Sequence, residues 1–241
     1  MRIDVMLTPG DWPIKAGLAG RVAVIDVLRA STSIITALSN GAESVIPASS
    51  PEEAVGLKAK FPAGRALLCG EREGLIIPGF DLGNSPAEYS AGRVSGKTLL
   101  FASTNGSRMI AQAARSGRPV CVAGFVNAGA VSRRLADGEE DILLACAGRE
   151  GAFSLEDATA AGMLAGAIRR LSGNGCFLSD EARAAVFLYR HFAHDLAGMA
   201  AGSAHGIYLT GLGLGADIPA CVSTDAFQAV PVLSDGALVA T

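Results

Sequence analysis

Short, continuously apolar runs that break into polar or glycine-containing turns, each followed by a helix-like segment, recur along this chain. The pattern predicts strands over Arg21–Val27, Thr98–Ala102, Pro119–Ala123 and Asp141–Ala145, and the alternation of Met1-Arg2-Ile3-Asp4-Val5 predicts another at the start. Strands with no polar face are covered on both sides, so their alternation with helices predicts an α/β fold. The expected architecture is three-layer α/β/α around a mostly parallel or mixed sheet. Ser50-Pro51-Glu52-Glu53 and Ser154-Leu155-Glu156-Asp157 each carry a hydroxyl and, three residues later, an acid, the form of a capping box at a helix start. Ser179-Asp180-Glu181 opens the longest predicted helix, reaching about Ala200, with Ala185, Leu188, Phe192 and Leu196 as its apolar stripe. Residues 1–241 read as one compact domain, and the break at Leu171-Ser172-Gly173-Asn174-Gly175 is where it would subdivide.

Composition narrows the class. Half of the 241 residues are hydrophobic and 18% are charged, a balance that builds a packed core and excludes disorder. A formal charge of −3 supplies no broad basic field, so nucleic acid is excluded as a partner and any anion site has to be made locally. No uncharged apolar run approaches the roughly 20 residues needed to span a bilayer, and the N-terminus lacks a signal peptide's apolar stretch. The expectation is a soluble, cytoplasmic protein without membrane contact. Cys69, Cys121, Cys146, Cys176 and Cys221 form no CxxC pair and read as reduced core residues. A homo-oligomer is compatible with all of this.

In parallel sheets ligands sit beyond the carboxyl ends of the strands, where this chain places its polar turns. After Val22-Ala23-Val24-Ile25 come Asp26, Arg29, Ser31 and Thr32: an acid, a fork of guanidinium donors and two hydroxyls at a helix start, a set suited to an anion. Glu71 follows Ala66-Leu67-Leu68-Cys69 in the same way, with Arg72 beside it and Asp81 in the Gly/Pro-rich loop beyond. Thr104-Asn105-Gly106 has the makings of an anion nest, and Gly148-Arg149-Glu150-Gly151 adds a cation, with Glu156 just inside the next helix. Carboxylates at Asp26, Glu71, Asp81 and Glu156 are hard oxygen ligands suited to magnesium, Mg2+. Each residue also has a structural reading, as a strand end, a cap or a turn. A thiol phosphatase needs an arginine six residues after its cysteine. Leu75, Asn127, Ala152, Ala182 and Phe227 stand there instead. The second aspartate of a haloacid-dehalogenase-like enzyme is replaced by Leu28. His191 and His194 read as solvated, whereas His205, before Gly206, is less easily dismissed.

Val24-Ile25-Asp26-Val27-Leu28-Arg29-Ala30-Ser31-Thr32, Gly70-Glu71-Arg72, Gly79-Phe80-Asp81-Leu82-Gly83-Asn84-Ser85-Pro86, Thr104-Asn105-Gly106 and the region from Ser203 to Pro231 together resemble the 2-phosphosulfolactate phosphatase family. The resemblance spans most of the chain in several ordered blocks. It implies magnesium-dependent hydrolysis of phosphosulfolactate, or a related small phosphorylated hydroxy acid, to sulfolactate and phosphate, a step associated with coenzyme M synthesis. Ser107, His205 and Ser33 depart from the family's usual Thr, Asn and Thr. The expected site places Asp26, Arg29 and Glu71 in catalysis. Asp26, Glu71, Asp81 and Glu156 are the metal candidates, and Ser31, Thr32, Arg72, Thr104, Asn105, Gly106 and Arg149 the substrate contacts. The residues leave open whether Asp26 holds the metal or attacks phosphorus itself. The competing reading is a non-catalytic binding or regulatory protein for a phosphorylated metabolite. Carboxylates beside a phosphate weaken a pure anion site, whereas a metal-dependent hydrolase requires them.

Overall fold

Eleven strands form one sheet in the computed structural model, which describes the backbone of residues 1–241 and every side chain except those of Leu18 and Asn174. They are β1 (Arg2–Met6), β2 (Arg21–Ile25), β3 (Ser44–Pro47), β4 (Ala66–Arg72), β5 (Leu75–Ile76), β6 (Thr98–Ala102), β7 (Val120–Ala123), β8 (Ile142–Cys146), β9 (Phe177–Leu178), β10 (Pro231–Ser234) and β11 (Ala237–Ala240). Their spatial order is β5-β4-β6-β3-β11-β10-β7-β2-β8-β1-β9. The apolar runs read from the sequence become the buried centres of β2, β6, β7 and β8, each within a residue or two of the expected bounds.

The sheet contains two parallel blocks, β4-β6-β3 and β7-β2-β8-β1. The C-terminal hairpin β10-β11 joins them, and its three antiparallel steps reverse the sense of one block relative to the other. Both blocks nevertheless share one core. Val22 and Val24 of β2, Leu99 and Phe101 of β6 and Leu238 of β11 pack with the helices Ala30–Ser39 and Gly106–Ala114 in a single apolar cluster. The other face of the second block is covered by the helices Ala128–Ala136, Leu155–Ser172 and Asp180–Phe192, which bury Ile3, Ile25 and Leu144. Helices therefore lie on both sides of a mostly parallel, mixed sheet.

Two helix expectations need correction. The segment from Ser179 to about Ala200 is not continuous: one helix ends at Phe192 and another runs Leu196–Gly202. Asp195 starts the second by accepting a 2.7 Å hydrogen bond from the Gly198 N–H, so a capping carboxylate prevails over the apolar stripe. Ser50 and Ser154 do cap their helices, accepting from the N–H groups of Glu53 and Asp157 at 3.2 Å. Their capping-box acids reach elsewhere, Glu53 to the Ser49 N–H and Asp157 into the neighbouring loops. No helix among the described residues is long and apolar enough to cross a membrane.

Candidate active site

Asp26 leaves β2 directly after four buried residues and is itself buried. Its loop is closed on itself: Ser31 Oγ accepts the Asp26 N–H at 2.9 Å, and the Ser31 N–H returns a 2.9 Å bond to the Asp26 carbonyl. The Ala30 N–H, at the start of the helix Ala30–Ser39, points at the Asp26 carboxylate from 3.4 Å. The start of a second helix, Gly106–Ala114, abuts the same carboxylate. A Cβ on Gly106 would lie 2.6 Å from Asp26 Oδ2 and 2.6 Å from the Ala30 methyl, so only glycine lets this helix approach. Two helix N-termini thus face one acid. The N–H groups of Asn105 and Gly106 have no acceptor among the described residues.

Glu71, near the end of β4, is held from two sides. Its carboxylate accepts the Thr104 N–H at 2.7 Å and the Thr104 hydroxyl at 3.2 Å, and the Gly74 N–H at 2.8 Å. Thr104 therefore spends its donors on Glu71. Arg29 bridges the same turn to the C-terminal region: its guanidinium donates to Gly74 O at 2.6 Å and to Asp217 Oδ2 at 2.7 Å. Asp217 Oδ1 also accepts the Ser85 hydroxyl at 2.5 Å. Arg29 is 3% exposed and the Asp217 side chain 9%, so this is a buried, charge-matched pair.

The pocket these residues enclose is completed by Asn84, Glu73, Asn105, Arg149, Glu150, His205 and Tyr208. Glu73 and Glu150 adopt left-handed backbone angles, φ 52° and 53°, in turns on the pocket wall. His205 Nδ1 lies 3.3 Å from Oε1 of Glu156, which is buried behind it and outside the pocket lining. The contact is poorly aligned for a hydrogen bond, and Oε1 of Glu156 has no other partner among the described residues. Asn84 Oδ1 is likewise buried without a partner, and Asn84 lines the pocket. A wider groove of about 420 Å³ at the opposite, N-terminal end of β2 and β7 gathers no buried acid among the described residues.

Burial pushes the Asp26 carboxyl up to about 6; the charges of Glu71 and Glu156 add to this, and His205 and the Ala30 N–H oppose it. Burial, then the charges of Asp26 and Glu156, hold Asp157 well above the usual carboxylate range. Burial would raise Glu156 too, but the His205 imidazole beside it, its own N–H and the nearby Ser203 hydroxyl bring it below. The cluster is acidic, buried and only partly neutralised.

Asp26, Arg29, Glu71, Thr104, Asn105 and Arg149 are brought together as the sequence suggests, with Gly106 packed against Asp26. Other candidates stand apart. Ser31 and Thr32 turn their hydroxyls back to the Asp26 N–H and the Val27 carbonyl, because their helix start needs those donors and acceptors locally. Asp81 pairs with Lys58 and the Leu68 N–H, both at 2.8 Å, and does not line the pocket. Arg72 donates to the Glu71 carbonyl and also lies outside the lining. Sequence reasoning missed Asn84, Asp217, Tyr208 and Asp157. Asp157 receives the N–H groups of Val27 at 2.8 Å and Gly148 at 3.1 Å, stapling the loops that follow β2 and β8. Its place in a capping pattern masked this role; the apolar residues around it were the one available signal.

All five cysteines are free, and burial pushes the thiols of Cys121 and Cys221 up to about 12 and Cys69 and Cys146 higher still. Cys176, partly buried, is also raised. None offers a thiolate at neutral pH. Each Cys→Ala variant is expected to keep its kcat, with any loss appearing in the thermal melt. A folded variant without turnover would restore a thiol mechanism.

The sequence profile of the 2-phosphosulpholactate phosphatase family matches residues 6–236. A probable 2-phosphosulfolactate phosphatase of Symbiobacterium thermophilum is 44% identical over 232 residues, covering 94% of this chain and 97% of that protein. Proteins with the same description from Caldanaerobacter subterraneus, over 89% of this chain and 88% of the relative, and Thermotoga maritima, over 98% and 97%, are each 40% identical. With the match running through every element that builds the pocket, the chain belongs to the 2-phosphosulfolactate phosphatase family of phosphoric monoester hydrolases.

Proposed function

We propose that the protein hydrolyses 2-phosphosulfolactate, or a closely related small phosphorylated hydroxy acid, to the hydroxy acid and phosphate, with magnesium as cofactor. The observation that carries this reading is the convergence of buried, incompletely neutralised acids with the starts of two helices and two arginines in one pocket. A site that only stored an anion would gain nothing from the Asp26 carboxylate beside it. The relatives' descriptions supply the substrate.

The donors present fit magnesium. Asp26 and Asn84 Oδ1 offer hard oxygens on the pocket wall, the latter without a hydrogen-bond partner, and among the described residues no Cys or Met lines the pocket. Among the described residues no three or more His, Cys, Asp or Glu side chains are already arranged to hold a metal ion. Magnesium commonly takes only one or two protein carboxylates and completes its shell with substrate phosphate and water, so Asp26 and Asn84 would hold it. When bound, it would neutralise charge on the phosphoryl oxygens.

The remaining steps fall to the chain's own groups. The N–H groups of Asn105 and Gly106 bind phosphate oxygens at a helix start, and Arg29, held by Asp217 and Gly74, supplies fixed positive charge beside them. Glu71 keeps the Thr104 turn in place. Arg149 meets the second anionic group of the substrate. His205, whose Nδ1 lies beside the Glu156 carboxylate, carries the proton between attacking water and departing alkoxide. EDTA is expected to abolish phosphate release from 2-phosphosulfolactate, and added magnesium to restore it. Full turnover by metal-stripped protein would overturn the cofactor assignment, and no turnover with any divalent cation would overturn the substrate.

A further inference from the structure

The two arginines of the pocket are electrostatically unlike. Arg29 is matched by Asp217 at 2.7 Å, whereas among the described residues no carboxylate lies within 4.0 Å of the Arg149 guanidinium. Arg149 is held instead by uncharged groups. Reciprocal backbone bonds with Ala152, at 3.1 and 2.8 Å, fix its turn, and its Nη1 reaches the Ala204 carbonyl at 3.4 Å. Its guanidinium lies over the Tyr208 ring, 4.5 Å from the centroid. Tyr208 is tied at its far end, where the hydroxyl donates to the Glu73 carbonyl at 2.9 Å. Both residues line the pocket.

Stacking occupies one face of a guanidinium and leaves its in-plane N–H groups to donate, the geometry that matches a carboxylate or sulfonate. We propose that Tyr208 is a specificity-determining residue: anchored to Glu73, it holds Arg149 as the receptor for a second, non-phosphate anionic group of the substrate. This assignment rests on the phosphatase reading above. It makes the preferred substrates phosphate esters that carry another fixed negative charge, with the phosphate bound elsewhere in the pocket. Tyr208 touches Arg149 and acts through it, so it is a positioning residue. Because Tyr208 is only half-buried, its replacement leaves the core intact.

The test separates the two anion subsites without requiring turnover. Calorimetric affinities for sulfolactate and for inorganic phosphate are measured on the wild type, Tyr208→Phe and Tyr208→Leu, with thermal melts of each. Tyr208→Leu is expected to weaken sulfolactate binding about tenfold while phosphate binding stays unchanged, and Tyr208→Phe, which keeps the stack and loses the Glu73 tie, to fall between. In turnover of 2-phosphosulfolactate the Leu variant then raises KM and leaves kcat near the wild-type value. Equal loss of both ligands, loss of neither, or a wild type that binds no sulfolactate overturns the proposal. A wild type that binds both ligands yet releases no phosphate from 2-phosphosulfolactate overturns the phosphatase reading, and the Tyr208 result still stands on the affinities.

Discussion

Asp26→Asn is expected to lower kcat by about a thousandfold and at the same time to raise the melting temperature. Burial lifts the Asp26 carboxyl from 3.8 to about 6, so the folded protein holds a proton there that the unfolded chain gives up between those values. A group that binds more protons when folded makes stability fall as pH rises, and here the fall runs from about pH 4 to about pH 6. Above that window the ionised, buried carboxylate costs about 3 kcal/mol. Asparagine keeps the shape and removes the charge, so melts in EDTA should show a variant more stable than the wild type at pH 8 and level with it at pH 4. Activity runs the other way. An ionised Asp26 is needed to hold the cation, so the magnesium affinity of the wild type should decline as pH drops through about 6. A variant with near-native kcat, or one destabilised at pH 8, would show that Asp26 is a structural acid at the end of a strand.

Arg29→Ala is expected to cost about 3–5 kcal/mol of stability, because it leaves Asp217 buried without its partner. That loss alone says nothing about phosphate, so two further variants separate the roles. Arg29→Lys keeps the charge but loses the fork that spans Asp217 and the Gly74 carbonyl. It should stay folded, with transition-state binding weaker by about 2 kcal/mol. In Arg29→Met/Asp217→Leu both charges are gone, and stability should recover most of what Arg29→Ala lost. Turnover should not return with it. If the double variant is as active as the wild type, the pair serves the fold and phosphate binding has been assigned to the wrong cation. Urea melts and phosphate titrations on the three proteins decide the matter.

Periodicity and local chemistry carried a good deal of this architecture. Val22-Ala23-Val24-Ile25 and Ile142-Leu143-Leu144-Ala145 have no polar face, and strands of that kind can only lie inside a covered sheet. Asp26 and Glu71 stand at or near the ends of such runs, where side chains leave the core for the rim, and both line the pocket. The caps at Ser50, Ser154 and Ser179 are local hydrogen bonds spanning three residues, so their positions were readable from neighbours alone. The same logic misjudged Ser31 and Thr32, whose short hydroxyls were satisfied within their own turn before any ligand could compete.

Burial, the positions of the turns and the turns that carry charge are all local properties of the chain. Tertiary structure decided which charges meet. Arg29 finds Asp217 across 188 residues, Glu156 finds His205 on a separate helix, and Asp157 leaves its cap to bind the loops after β2 and β8. Asp81, by contrast, is drawn to Lys58 and away from the site. The C-terminal hairpin, inserted between β3 and β7, joins two parallel blocks of opposite sense that share one core. An apolar pattern reports burial, because burial depends on the residue and its period. The partner of a buried charge is chosen by desolvation, which penalises every unmatched group and is settled only when distant segments have packed.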